Sequence, residues 1–288
     1  MIARRALLLV ACLAAGAAVG CDATQKSDGT GGVGAAAAAA VPPAAQSIAD
    51  AERARVGALA CLHAKGVVEL RSRDASGDHF DQGDVDFRWM PGRGVAASIS
   101  KFGDRWSWIG SDGTRWWAFE LKADPVKLRW GRLERERAGI VGALPWLMAL
   151  RPLVPVPGAE VRMADGRARV RVQAEGAVLP AGAALEADFD PATHAPVAVR
   201  VCRGGAVECE AALAELGAVE VEGMTMGTWP VIPLRVRVRG AGDRAGSEIA
   251  VFLDRPRADR EAVDRAALYD MDGLRAKFAP GAVEGDAP

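Results

Sequence analysis

Between Val85 and Trp130, apolar residues alternate with polar ones, and short turn signals cut the pattern into strand-length pieces. Val85-Asp86-Phe87-Arg88-Trp89 has the two-residue period of a half-buried strand. Pro91-Gly92 ends it, and Ala97-Ser98-Ile99 continues beyond the turn. Gly103-Asp104 and Asp112-Gly113 are hairpin signals on either side of Trp106-Ser107-Trp108. Trp117, Phe119 and Leu121 share a face of the next piece, Asp124-Pro125 closes it, and Leu128 and Trp130 share a face of the one after. Turns this short make neighbouring strands antiparallel. Six of the eight tryptophans fall in this stretch. The pattern predicts a β-meander whose apolar side carries Phe87, Trp89, Trp106, Trp108, Trp117, Phe119 and Trp130. That side fits ordinary core, which large aromatics dominate. It also fits a concave wall for a ligand, because an indole offers an acyl chain a broad apolar face and one N–H donor.

Upstream, Ser47-Ile48-Ala49-Asp50 reads as a helix N-cap with an acidic residue three on. Val56, Leu59, Ala60 and Leu62 lie near one helical face, Gly66 is expected to stop the helix, and Val67 to Arg71 reads as the first strand. Downstream, the charged run Arg132 to Arg137 gives way to an apolar stretch from Ile140 to Leu150. Ile140, Leu144, Leu147 and Met148 have helical spacing there, and Pro145 is expected to kink or split the helix. This is either a buried core helix or a mobile lid over the apolar wall. A surface-active membrane segment would carry a strongly charged opposite face, which is absent.

Pro152 to Gly158 forms a rigid connector, after which strands resume. Val161 and Met163 lead to an Asp165-Gly166 turn, and Ala168, Val170 and Val172 return with Arg167, Arg169 and Arg171 on the other face. Leu185-Ala187-Phe189, Val197-Val199-Val201, Leu234-Val236-Val238 and Ile249-Val251-Leu253 keep the same period, with Arg235, Arg237 and Arg239 outward. The arginine rows read as solvated faces, with an acidic partner or lipid headgroups as the alternative. Leu268, Met271, Leu274 and Phe278 can dock the charged, partly helical tail. Ten or eleven antiparallel strands share an apolar face that too few helices exist to cover. The expected architecture is mainly β (α+β): a strongly curved antiparallel sheet forming an incomplete β-barrel, plugged by an N-terminal helix and the apolar helical lid.

The first 20 residues read as an export signal, with Arg4 and Arg5 ahead of an apolar run from Ala6 to Val19 that is too short to span a bilayer. Ala18-Val19-Gly20-Cys21 resembles the lipobox of bacterial lipoproteins, in which the cysteine is acylated; ordinary secretion and an uncleaved anchor stay open. Residues 21–46 are rich in Gly, Ala, Ser and Pro and read as a flexible tether. A folded domain is expected over residues 47–280, with 281–288 as a tail.

A lipobox, a leading helix, a long antiparallel meander and an apolar helical insert, in that order, resemble the LolA/LolB-like lipoprotein-carrier superfamily. Lys101-Phe102-Gly103, Gly110-Ser111-Asp112-Gly113 and Trp116-Trp117-Ala118-Phe119 are similar to the second quarter of such domains, and Pro152 to Val161 to the connector after their lid helix. The resemblance implies an incomplete barrel whose concave side shelters acyl chains under helices.

Charge and chemistry narrow the picture. The formal net charge is −1, and removing Arg4 and Arg5 with the signal makes it −3, which argues against nucleic acid as a partner. The three histidines, His63, His79 and His194, fit no hydrolase elbow, metalloprotease motif or phosphate-cradling loop. The acidic cluster Asp78 to Asp86 lacks calcium-loop spacing, and Met224 with Met226 reads as packing rather than a copper site. No metal or cofactor is expected. Of five cysteines, Cys61 sits in the apolar helical pattern and reads as buried. Cys202 and Cys209 are expected to bridge a hairpin, unless a tight Gly204-Gly205 turn sets them too far apart. The expectation is a membrane-anchored envelope lipoprotein facing the periplasm, inner or outer membrane undecided. It would bind a lipid, acyl chain or other hydrophobic ligand without catalysis, with Leu144, Leu147 and Met148 in the lid. The alternative is a structural lipoprotein with a side-chain-filled core and an envelope protein partner.

Overall fold

A computed structural model of the chain describes residues 43–74, 77–133, 139–173, 179, 181–240 and 246–285. The export signal, Cys12, Cys21 and nearly all of the tether lie outside the described residues.

Helix α1 (Ala45–Val56) begins before Ser47, and its N-cap Ala44 makes no side-chain cap. It ends at Gly57, well before Gly66. Leu62 instead opens strand β1 (Leu62–Asp74). Gly66 lies inside that strand where the neighbouring strand comes very close: a Cβ at Gly66 would stand 1.9 Å from the Phe252 carbonyl oxygen.

Five further strands follow as a meander: β2 (Gly77–Met90), β3 (Gly94–Lys101), β4 (Asp104–Ser111), β5 (Arg115–Glu120) and β6 (Lys127–Arg132). Helix α2 (Gly139–Leu147) comes next. The second run is β7 (Arg162–Ala164), β8 (Arg167–Val172), β9 (Ala183–Phe189), β10 (Pro196–Arg203), β11 (Ala206–Ala218), β12 (Val231–Gly240) and β13 (Glu248–Arg257). Helices α3 (Arg260–Val263) and α4 (Met271–Phe278) lead to β14 (Ala282–Gly285).

The strands form one 14-stranded curved sheet, not closed into a barrel, in the order β14-β6-β5-β4-β3-β2-β1-β13-β12-β11-β10-β9-β8-β7. Two meanders therefore run outward from a central β1–β13 pairing. This is more strands than the alternation alone counts. The stretch assigned to a tail supplies β14, which lies parallel to β6 at the edge; the other pairings between these strands are antiparallel. Because β6 and β7 sit toward opposite ends of the sheet, the segment joining them has to cross it, and that segment contains α2. It crosses on the concave side: Val141 packs with Trp116, Ala118 and Leu133, while Trp146, Leu147, Met148, Leu150 and Leu153 enter the main core. Helix α1 covers the same side through Ile48, Val56 and nearby Leu59.

On the outer side, α4 covers β4–β6. Met271 and Leu274 bury against Trp108, Trp117, Phe119 and Leu128, with Leu268 and Phe278 alongside, as the tail pattern suggests. Farther along, Val263 and Tyr269 pack on Cys61 and Ala96, and burial pushes the Tyr269 hydroxyl up to about 12. The outer face of β8–β11 carries a charged layer instead. Asp188 is almost wholly shielded, accepting from Arg169 Nε at 2.8 Å and from Arg200 Nη2 at 2.8 Å, and Arg200 Nε donates to Glu210 at 2.6 Å.

Cys61, Cys202 and Cys209 are all thiols, and the expected Cys202–Cys209 bridge is not formed. A bulge between Val201 and Cys202 pairs Cys202 with Val207 and Cys209 with Val201. Cys209 therefore points into the core beside Val201, while Cys202 points outward. Two thiols on opposite faces of a sheet cannot meet the geometry of a disulfide.

Candidate functional site

Cross-strand register assigns each aromatic of the predicted wall to a face. Leu62, Trp89 and Val95 form one row, and Ala64, Phe87, Ala97, Ile109 and Ala118 form another. Both rows face the concave core, so Phe87 and Trp89 lie on the expected side. Trp108, Trp117, Phe119 and Trp130 do not; they face outward beneath α4. The seven residues thus form no single wall. Strand β5 is apolar on both faces, and alternation in one strand does not say which face is concave.

Trp106 is the exception within β4. Two residues from Trp108, it should share that residue's face. A bulge intervenes: Ile99 pairs with Ser107, but Ser100 pairs with Arg105, leaving Trp106 as the extra residue. The bulge turns Trp106 toward the concave side, and Arg105 stacks over Trp108 on the outer side, its guanidinium 4.9 Å from the ring.

The concave face is largely filled. Leu147 and Met148 are buried in the core and Leu144 packs against it, while the side chain of Ile140 lies outside the described set. Between the middle of β1 and β2 and the neighbouring ends of β3–β5, a cleft of about 30 Å³ remains. Its floor is Val68, Leu70, Ile99, Trp106 and Ile109, and its polar lining includes Asp81, Lys101, Ser107 and Glu120. Gly83 faces it without a side chain; a Cβ there would come within 3.0 Å of Ile99 Cγ2. Lys101 donates to Asp81 and sits 5.3 Å from the Trp106 ring centroid.

An open hollow of about 410 Å³ adjoins the cleft and shares Asp81, Gln82, Gly83 and Lys101 with it. Phe80 and Phe102 flank the hollow, 57% and 93% exposed. Phe102 occupies the tip of the β3–β4 hairpin with φ 54°, followed by Gly103 with φ 81°. Both centres of the turn are left-handed, so the turn lies one residue earlier than Gly103-Asp104 suggests. Asparagine is the usual residue where Phe102 stands. An aromatic residue in a two-residue turn is the signal that could have singled out Phe102 beforehand.

Among the described residues, no cluster of His, Cys, Asp and Glu could hold a metal ion, and no helix is long and apolar enough to cross a membrane.

Solved structures similar to this one include a LolA superfamily protein from Nitrosomonas europaea, with 12% identity, TM-score 0.46, 75% of this chain and 93% of that chain covered. An outer membrane lipoprotein-sorting protein domain from Vibrio parahaemolyticus has 11% identity and TM-score 0.43, with 79% of this chain and all of that chain covered. A DUF1329 family protein from Desulfovibrio piger has 10% identity and TM-score 0.47 and covers 80% and 98%. No protein-family model and no curated protein matches the sequence. These likenesses assign a role to no residue of this chain.

Proposed function

We propose that the concave face shelters the apolar part of a lipid, acyl chain or other amphiphile beneath α2, without chemistry on it. One observation carries this reading: the amphipathic cleft on the strands β1–β5, apolar in its floor, polar in its lining and opening toward two exposed phenylalanines. A hollow with an apolar base and few convergent polar groups is the usual form of a small-molecule site. The cleft as it stands is far smaller than an alkyl chain, so uptake requires α2 and its flanks to move off the sheet. Within the same proposal, Cys21 carries the lipid that tethers the chain in the cell envelope, and residues 21–46 give the domain its reach.

Native mass spectrometry of the full chain, with extraction of co-purifying lipid, tests this. Lipid that is retained by the parent and lost when Leu147 is changed to aspartate in a folded variant supports it. A clean apo mass, with no uptake of added fatty acid, monoacylglycerol or phospholipid, sinks it. The second reading, a structural lipoprotein scaffolding envelope proteins, is favoured by the packed state of the concave face, where Leu147, Ala149 and Leu153 have no exposure.

A further inference from the structure

We propose that the cleft accepts the uncharged, hydroxyl-bearing end of an amphiphile, in preference to a carboxylate, phosphate or ammonium head. This rests on the reading of the concave face given above and adds the chemistry of the head group.

Ser107 carries the inference. It lines the cleft, is 4% exposed, and among the described residues its Oγ has no hydrogen-bond partner. Its same-face neighbours along the strand and across it, Ile109 and Ile99, are apolar. A buried hydroxyl left unpaired is costly, and alanine in its place would avoid the cost. The hydroxyl can both donate and accept. Across the strand pair stands Glu120, equally shielded, whose carboxylate only accepts.

The formal charges of the lining are already matched. Lys101 pairs with Asp81, Lys122 Nζ lies 2.7 Å from Asp104, and Glu120 lies 4.0 Å from the Arg129 guanidinium. An anionic head would have to draw a lysine from its carboxylate, and a cationic head would have to displace Lys101 or Arg129. Either exchange leaves a charge unpaired in a partly buried place. A hydroxyl disturbs none of these pairs: it donates to Glu120 and accepts from Ser107. The size agrees, because about 30 Å³ holds one or two water-sized groups. The aliphatic part would then run from the cleft along Val68 and Ile109 toward the space that α2 vacates.

Titration calorimetry of the full chain with three ligands of equal chain length, 1-monodecanoylglycerol, decanoate and decylamine, tests the inference. The glyceride is expected to bind roughly tenfold more tightly than either charged ligand, the effect of about one well-made hydrogen bond. Ser107→Ala is expected to remove most of that preference and leave decanoate unchanged; circular dichroism confirms folding. Should Ser107→Ala fail to fold, Ser107→Gly gives the same comparison. Equal affinity for all three ligands, tighter decanoate or decylamine, or a Ser107 variant with undiminished preference would overturn the head-group assignment while leaving amphiphile binding intact. Failure of all three to bind would overturn the proposed function itself, and this inference with it.

Discussion

Glu52 and Arg55, one helical turn apart on α1, form a two-pronged ion pair in which both contacts are 2.7 Å and Glu52 has no exposure. The pair also ties three elements together. Arg55 donates to the carbonyls of Val231 at 2.7 Å and Ala149 at 3.1 Å, and Glu52 accepts from the Leu153 amide at 3.0 Å. It therefore fastens the end of the α2 segment to α1 and to β12. Removing one member leaves the other buried and unpaired, so Glu52→Ala is expected to cost about 3–5 kcal/mol in urea unfolding. Replacing both with Leu and Met is expected to cost much less, a difference a double-mutant comparison reads directly.

The two faces of β4 and β5 give a separable pair of variants. Met271→Ala empties a site beneath α4 and is expected to cost about 2–5 kcal/mol while leaving lipid uptake unchanged. Trp106→Ala alters the cleft floor and is expected to weaken uptake while costing clearly less stability, since Trp106 is only partly buried. Equal loss of uptake in both would mean that the concave cleft is not the site.

Phe102 stands in a left-handed turn position that asparagine adopts more easily. Phe102→Asn is expected to raise stability by about 1 kcal/mol, read as a higher midpoint of thermal unfolding. A side chain 93% exposed contributes little packing to offset that gain.

Burial pushes the Asp188 carboxyl up, but hydrogen bonds from Arg200 and Arg169 outweigh it and hold it below the ordinary carboxylate value of 3.8. A carboxyl depressed in the folded state adds stability that is complete above about pH 4 and lost as pH falls through the folded value. Asp188→Asn is expected to be less stable at pH 7 and to show a flatter decline between pH 4 and pH 2, measured by urea unfolding at a series of pH values.

Burial raises the thiols of Cys61 and Cys202, and Cys209 is shielded in the core. Slow alkylation of the native protein at pH 7 is expected, with Cys202 first, and non-reducing peptide mapping should give Cys202 and Cys209 unbridged.

Alternation along the chain marked nearly every strand, the apolar helix and the open-barrel class. Those are local properties: a two-residue period fixes which side chains share a face. It also marked Leu268, Met271, Leu274 and Phe278 as a docking stripe. Which face of each strand is concave depends instead on how the sheet curls and on where α2 and α4 come to rest, and no local pattern encodes that. Trp116 and Trp117 are neighbours in the chain, yet one packs under α2 and the other under α4. Two bulges, at Trp106 and beside Cys202, each broke the alternation by one residue. One such step moves a side chain to the opposite face, which re-aimed Trp106 into the cleft and set Cys202 apart from Cys209. The pairing of β1 with β13, and the cleft around Ser107 and Glu120, join residues too distant in the chain for any periodicity to connect.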